Sequence, residues 1–345
     1  VRAKQRIKVL IVDDSLLFRE TLAREMAKDE GLEIVGTASD PYMARDLIVK
    51  LKPDVLTLDV EMPKMNGIDF LKKLMPQYPL PVIVVSSASQ NVFDALDAGA
   101  VEFVTKPNMS RQGGMTSFVN ELTVKVKIAS TAKVGNKKHA PLVSNRPLTG
   151  SVTSVSTNQV IALGASTGGT DALYSVISAL PKEMPPIVIV QHMPPVFTKL
   201  YADRLNNSCK LEVKEAADGD ELRPGRVLIA PGDFQMRVAK RGSGYYVRVT
   251  KEEKVSGHCP SVDVLFRSVA EVVKDKAIGV IMTGMGKDGA DGLLKMRKSG
   301  AYTIGQDEKS SVVYGMPMVA FNIGAVQKQL PLERIPDEII RSLAN

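Results

Sequence analysis

Short apolar runs alternate with segments of helical periodicity five times in about the first 130 residues, and this alternation constrains the fold more than any other feature. KVLIVDD, LEIVGTAS, DVLTLDV, PVIVVSS and EFVTKP read as strands. Between them Phe18, Leu22 and Met26 recur every four residues, PYMARDLIVKLK, IDFLKKLM and VFDALDAGA suit helices, and TSFVNELTVKVKIA closes the series as a fifth helix. Strand and helix taking turns predict a doubly wound parallel sheet, because parallel neighbours need a long crossover and a helix usually supplies it.

The rhythm breaks from about Lys127 to Asn158, where Ser, Thr, Lys, Asn and Pro replace large apolar residues, as expected of a flexible linker. It resumes with VIALGAS, the helical TDALYSVISALP, IVIVQHMP and the helical VFTKLYADRL. Gly-Ser-Gly between two β-like runs in RVAKRGSGYYVRV predicts a hairpin. SVDVLFRSVAEVV, AIGVIMTG, GADGLLKMRKSG and AYTIGQ then alternate again. The expected organisation is a first α/β domain over residues 1–126, a basic linker over 127–158 and a second doubly wound, mainly parallel α/β domain with a hairpin over 159–345. Two domains suit a chain of 345 residues, since single cores stop growing near that length.

Charge narrows the function classes. The net charge is +7, but Lys125, Lys127, Lys133, Lys137, Lys138 and Arg146 stand in 125–150 without an acid, so nearly all the excess sits there. The remainder is close to neutral and shows no basic cluster of the kind a DNA-reading face needs. No apolar run is long enough to span a bilayer, and the opening VRAKQRIKVLIVDD is broken by acid too soon for a secretory signal, so a cytoplasmic protein is expected. Cys209 and Cys259 lack metal-ligand spacing, which leaves two reduced thiols and neither a disulfide framework nor a zinc site.

Asp13 and Asp14 follow the first strand and Asp59 the third, so a parallel sheet brings all three to its C-terminal edge, where ligands bind. Clustered carboxylates repel unless a hard cation joins them, and Mg²⁺ with an incoming phosphate is the natural occupant. Asp59 could then attack phosphorus, with Ser86 and Lys106, at the ends of the fourth and fifth strands, supplying a hydroxyl and a cation to the phosphoryl oxygens. DD, LDVEMPKMNG, VSS and FVTKP resemble response-regulator receivers over about the first 125 residues. The resemblance implies a flavodoxin-like fold with Asp59 as phosphoacceptor. It also implies Asp14, Asp59 and the backbone carbonyl of Glu61 as Mg²⁺ ligands, Asp13 acting through water, and Phe103 as the aromatic that moves with Ser86 on activation.

In the second domain Gly164-Ala165-Ser166-Thr167-Gly168 fits the G-x-S-x-G nucleophile turn between strand and helix. The amide groups at such a helix start suit an oxyanion or a phosphate equally, so the turn alone separates no esterase from a nucleotide site. A serine needs a base. Of His139, His192 and His258, the first lies in the linker, whereas His192 ends the strand after the Ser166 helix. Asp288, in a glycine-rich turn after an apolar strand, leads the candidates for the third member, although it could equally cap the following helix; Asp233, Asp263 and Asp307 remain open by composition.

GASTGGT, QHMP, GHCPSVDVLF and TGMGKDGADG resemble the C-terminal domain of the chemotaxis protein-glutamate methylesterase family, and with the receiver and the linker the likeness covers nearly the whole chain. It implies a Ser166, His192, Asp288 triad, with the backbone amides of Thr167 and Met285 forming the oxyanion hole. It further implies glutamyl methyl esters on cytoplasmic helices of chemoreceptors as substrates, deamidation of glutamine by some members, and no cofactor for the esterase step. A histidine kinase would be the phosphodonor, its phosphorylation loosening a receiver packed against the esterase mouth. The expected protein is a monomer that meets the membrane only through receptors and binds no nucleic acid. Gly168 and Gly169 look small enough to let a protein surface approach. One departure is Cys259, where related sequences carry arginine; a Cys259–His258 dyad is disfavoured because adjacent side chains rarely converge. The competing reading is a docking module that responds to phosphorylation without catalysis; a nucleotide-binding effector lacks a P-loop lysine, and a transcription factor lacks the charge.

Overall fold

The computed structural model describes residues 6–87, 91–107, 114–135 and 159–343. The chain divides into two compact units between Lys138 and His139. Most of the segment expected as linker, 136–158, lies outside the described residues.

In the first unit β1 (Ile7–Val12), α1 (Leu16–Met26), β2 (Leu32–Ala38), α2 (Pro41–Leu51), β3 (Val55–Asp59), α3 (Gly67–Leu74), β4 (Val82–Ser86), α4 (Val92–Asp97), β5 (Glu102–Thr105) and α5 (Gly114–Ala129) alternate as the apolar pattern predicts. The sheet order is β2-β1-β3-β4-β5 with every neighbour parallel. Central β3 and β4 are buried at each residue, which is why their sequences are continuous apolar runs without a polar face. Helix starts follow capping chemistry: the side chains of Ser15, Asp40 and Asn66 accept amide hydrogens from the first turns of α1, α2 and α3. Helix α5 continues through Ala129, three residues into the segment whose composition suggests a linker. Ala129 is buried, and Lys127 reaches Asp29 at 2.6 Å, so these residues pack as helix despite their polar surroundings.

The second unit comprises β6 (Val160–Ala165), α6 (Gly169–Ala179), β7 (Ile187–Gln191), α7 (Phe197–Ser208), β8 (Glu212–Glu215), β9 (Arg226–Ile229), β10 (Gln235–Arg241), β11 (Gly244–Thr250), α8 (Val262–Val272), β12 (Ala277–Ile281), α9 (Ala290–Lys298), β13 (Tyr302–Gln306), α10 (Met316–Asn322), β14 (Lys328–Leu330) and α11 (Ile335–Leu343). Seven strands form one parallel sheet in the order β14-β13-β12-β6-β7-β9-β8. Strand β6 lies between β7 and β12, so the chain leaves it on one side and returns on the other, and the loops after all three strands open at one crevice.

Strands β10 and β11 pair antiparallel around Gly242 and Ser243, as the Gly-Ser-Gly signal predicts. The hairpin buries Met236, Val238 and Val247 in a core shared with Leu265, Phe266 and Val269 of α8, and Ser268 Oγ accepts the Val238 amide hydrogen at 2.9 Å. Strand pairing sets Arg237 directly opposite Arg248, with Arg241 nearer the turn and opposite Gly244. Among the described residues no helix is long and apolar enough to cross a membrane.

Candidate functional site

Adjacent β1 and β3 pair Val12 with Leu58, which delivers Asp13 and Asp59 to the same sheet edge. One carboxylate oxygen from each of Asp13, Asp14 and Asp59 lies within 4.8 Å of the others. Asp13 and Asp59 are buried and Asp14 is exposed. Lys106, just beyond β5, reaches Asp13 Oδ2 at 2.8 Å and Asp59 Oδ2 at 2.7 Å, while the Glu61 amide donates to Asp59 Oδ1 at 3.1 Å. Burial pushes the Asp59 carboxyl above its ordinary value, and Asp13 adds to this, so Lys106 does not fully offset the cost of the charge. One ammonium facing three carboxylates leaves net negative charge on an oxygen-only donor set, which fits Mg²⁺. Ser86 ends β4, buried, and its carbonyl accepts the Lys106 amide hydrogen at 2.9 Å. Phe103 is buried within β5, opposite Val84, and its carbonyl accepts from Lys125 Nζ at 2.6 Å.

In the second unit β6 and β7 run in register with Ala165 opposite Gln191, so the next residues, Ser166 and His192, leave neighbouring strands together. The His192 amide donates to the Ala165 carbonyl at 3.2 Å, and Gln191 Nε2 donates to the carbonyls of Ser166 and His192 at 3.0 and 3.2 Å. From β12 the Thr283 carbonyl accepts the Ser166 amide hydrogen at 3.0 Å. Thr283 Oγ1 donates to the carbonyls of Thr167 and Val313 at 3.0 and 3.2 Å, tying three loops beside Ser166. Gly284 is required here, because a Cβ on it would lie 2.6 Å from Ser166 Cβ. Met285 follows it in the same loop, half exposed, and its amide makes no hydrogen bond among the described residues. Thr167, the other expected oxyanion donor, follows Ser166 and is buried.

His192 Nε2 stands 2.7 Å from Asp288 Oδ2, and the ring is nearly buried. An ionised carboxylate only accepts, so the imidazole proton sits on Nε2 and Nδ1 carries the lone pair. That Nδ1 is buried with no hydrogen-bond partner. The ring is thus set in the tautomer a base needs, with the opposite nitrogen facing the acid from that of chymotrypsin. Asp288 does not cap its own helix, since α9 begins with Gly289 as its cap. Its carboxylate instead takes the start of α8: Oδ1 accepts from Ser261 Oγ at 2.7 Å and from the Asp263 amide at 3.1 Å, and Oδ2 accepts from the Val262 amide at 2.7 Å. Burial pushes this carboxyl up, but the His192, Ser261 and amide hydrogen bonds outweigh burial and hold it below the ordinary aspartate value. The other carboxylates left open by composition go elsewhere. Asp263 accepts from the Gly292 amide, Asp307 from Ser310, and Asp233 is exposed.

Three features escape the sequence patterns. Ser261 is fully buried against Asp288, with Gln235 Oε1 accepting its amide hydrogen at 2.9 Å. His258 stacks on His192, with ring centroids 3.6 Å apart and an interplanar angle of 8°. Burial, reinforced by neighbouring His192, lowers the His258 imidazole to about 4. The expectation for the two glycines is also corrected: side chains at Gly168 and Gly169 would strike Val312 and Gln191, so they serve internal packing and not the approach of a partner. Cys259 Sγ lies 3.7 Å from the Glu252 carbonyl, and burial pushes its thiol up.

A family model described as CheB methylesterase matches residues 161–339, and one described as response regulator receiver domain matches residues 9–113. A protein-glutamate methylesterase/protein-glutamine glutaminase of Syntrophomonas wolfei is 56% identical over 331 residues, covering 96% of this chain and 96% of its own. A protein of the same description from Syntrophotalea carbinolica is 52% identical over 347 residues, covering 99% and 98%. The crystal structure of the Thermotoga maritima CheB methylesterase catalytic domain is similar at 42% identity and a TM-score of 0.52, covering 53% of this chain and 98% of that one.

Proposed function

The chain belongs to the CheB methylesterase family, and from that membership we propose that Ser166, His192 and Asp288 hydrolyse glutamyl methyl esters on chemoreceptor helices under the control of phosphorylation at Asp59. It is an enzyme, a carboxylic ester hydrolase of the protein-glutamate methylesterase/protein-glutamine glutaminase type, joined to a receiver domain. The observation that carries the mechanism is the state of His192, which leaves its strand next to Ser166: Nε2 is committed to Asp288, and Nδ1 is buried and unpartnered. Ser166 Oγ attacks the ester carbonyl as Nδ1 takes its proton, and the amides of Thr167 and Met285 receive the oxyanion. His192 then returns the proton to departing methanol. Water attacks the acyl-serine by the same route, leaving a glutamate carboxylate and free Ser166. Glutamine offers the same carbonyl with ammonia as the leaving group, which accounts for the paired name of the relatives. Asp288, fixed by Ser261 and the start of α8, stabilises the imidazolium formed on the way.

In the receiver, Asp59 takes a phosphoryl group from a histidine kinase, with Lys106 and Ser86 facing the phosphoryl oxygens. Asp14, Asp59 and the Glu61 carbonyl, with Asp13 acting through water, would hold Mg²⁺, which would neutralise the charge of the incoming group. The activity belongs in the cytoplasm of a cell that methylates its receptors. Methanol release from methylated chemoreceptor membranes tests both halves, comparing wild type with Ser166→Ala, each with and without Mg²⁺ and a small phosphodonor. Ser166-dependent release that rises with phosphodonor is expected. No release by folded, phosphorylated wild type sinks the esterase mechanism and favours the docking module.

A further inference from the structure

We propose that the outward face of the β10–β11 hairpin is a docking strip for carboxylates that flank the reacting ester on an acidic polypeptide substrate, a proposal that rests on the esterase reading above. Side chains alternate along a strand, and the register places Gln235 opposite Thr250, Arg237 opposite Arg248, Ala239 opposite Tyr246 and Arg241 opposite Gly244 on one face. The other face, with Met236, Val238 and Val247, is buried, as is Gln235 at the inner end of this one, while Arg241 and Arg248 are exposed. The strip's inner end touches the machinery of the site: Gln235 Nε2 donates to the His258 carbonyl at 3.2 Å, and Gln235 Oε1 accepts the amide hydrogen of Ser261, which itself holds Asp288. At about 3.4 Å per residue, Arg237 lies roughly 7 Å and Arg241 roughly 20 Å along the strand from Gln235. The arginines therefore lead outward from the triad.

Sheet stability does not explain this arrangement. Arg237 and Arg248 stand directly opposite each other, a like-charge pair that one acid, Glu252, bound to Arg237 and within the field of Arg248, offsets only in part. Over residues 235–254 Glu252 and Glu253 stand against six cations, and Glu221, which pairs opposite Tyr246 on the strip's free edge, adds one acid, so the face keeps a net positive charge although the folded domains are otherwise close to neutral. Arg241 stacks over the Tyr246 ring at 4.3 Å, which holds its planar fork in a fixed pose. Neither Arg241 nor Arg248 makes a salt bridge among the described residues. The ligand chemistry is already present at Arg237, whose two terminal nitrogens take the two Glu252 oxygens at 2.6 and 2.8 Å. Carboxylate fits better than phosphate here, because the strip opens from an ester site whose product is itself a glutamate carboxylate. A polypeptide with several such sites gains anionic groups as it is processed, so the strip holds partly processed substrate.

The test is the full chain with Arg241→Glu and Arg248→Glu together, assayed on methylated receptor membranes. KM is expected to rise about tenfold with kcat unchanged, and the salt dependence of kcat/KM to flatten, as for charges at the rim of an interface. Hydrolysis of a small uncharged ester should be unaltered, and co-sedimentation with receptor membranes, measured in a Ser166→Ala background, should weaken in parallel. Unchanged KM and co-sedimentation overturn the strip. A matching loss on the small ester overturns it as well, because the substitutions would then be disturbing the triad. Retained receptor binding with lost retention of duplex DNA would assign the face to nucleic acid instead. If wild type itself releases no Ser166-dependent methanol, the esterase reading fails, and co-sedimentation alone decides whether the strip exists.

Discussion

Two carboxylate sites stand at the C-terminal edges of two parallel sheets, each where the strand order reverses, yet their electrostatics run in opposite directions. In the receiver, Asp59 is buried beside Asp13 with Lys106 and the Glu61 amide in compensation, and burial still pushes its carboxyl up. In the esterase domain Asp288 is as deeply buried, but His192, Ser261 and two amides at the start of α8 surround it, and its carboxyl is held down. The first site is under-compensated, so it favours whatever brings positive charge, which is what a Mg²⁺-dependent phosphoacceptor requires. The second is compensated in advance, so it reorganises little while its neighbour gains a proton. Topology places both sites, whereas the count of donors around each carboxylate decides what it can do.

The comparison breaks if Asp288 is merely a buried structural acid, and its amide tests this with the largest expected effect. Asp288→Asn can turn its NH₂ toward His192 Nε2, which moves the imidazole proton to Nδ1 and removes the base that Ser166 needs. A fall in kcat of about 10⁴-fold is expected with the fold retained, as for the same exchange in serine proteases. Steady-state methanol release alongside circular dichroism checks it, and a loss of less than tenfold would falsify the assigned tautomer.

Next in size is the receiver counterpart. Asp59→Asn removes the proposed phosphoacceptor and one of three clustered carboxylates. Stimulation by phosphodonor should vanish while basal hydrolysis stays, and Mg²⁺, expected to raise the melting temperature of the wild-type receiver, should no longer do so in the variant. In metal-free buffer the variant should melt above wild type, because a neutral amide relieves the buried charge. A lower melting temperature there would show that Asp59 is compensated after all.

Ser261→Ala sharpens the contrast by making Asp288 more like Asp59. It removes one hydrogen bond to a buried carboxylate, which should cost about 1–2 kcal/mol of stability and roughly tenfold in kcat. The pH dependence has a definite sign. Asp288 has a folded value below its unfolded one, so its contribution is full above the unfolded value near 3.8 and is lost as pH falls through the folded value. With one donor gone the folded value rises, so acid denaturation of the variant should begin at higher pH. Unfolding curves across the acid range read this directly, and superimposable curves would remove Ser261 from the account.

Much of this architecture is legible in the sequence because it depends on local pattern. The buried strands β1, β3, β4, β6, β7 and β12 are continuous apolar runs, and Ser15, Asp40 and Asn66 mark helix starts by their own chemistry. Strands β8 and β14 escape because they are edges of three or four residues, only partly buried, and β9 because RVLIA is too short to stand apart from its loop. Ser166 and His192, the proposed nucleophile and base, stand out in the sequence because each directly follows an apolar strand. The partners of Asp288 are not, because they come from residues 25 to 27 positions away, on a helix start whose capping chemistry is supplied by another loop. The basic residues of RVAKRGSGYYVRV are visible in the sequence, but which of them face each other is not, because antiparallel pairing and not spacing sets Arg237 opposite Arg248.

The smallest effect concerns His258, whose ring lies flat on His192. A second cation stacked on the imidazolium that forms during turnover would oppose it, but burial lowers His258 to about 4, so it stays neutral through the physiological range. The lowered value also carries a stability sign. Between its unfolded value near 6.5 and about 4 the unfolded chain holds a proton that the folded chain refuses, so stability falls as pH drops through that window. His258→Phe keeps a flat ring on His192 and removes the titration. Its kcat at neutral pH should stay within about threefold of wild type, since an aromatic contact is worth about 1 kcal/mol or less when one ring replaces another. Its melting temperature should decline less than that of wild type between pH 6.5 and 4. An equal decline would mean that His258 is solvated when charged, and a large loss of kcat would mean that its nitrogens, and not its plane, serve the reaction.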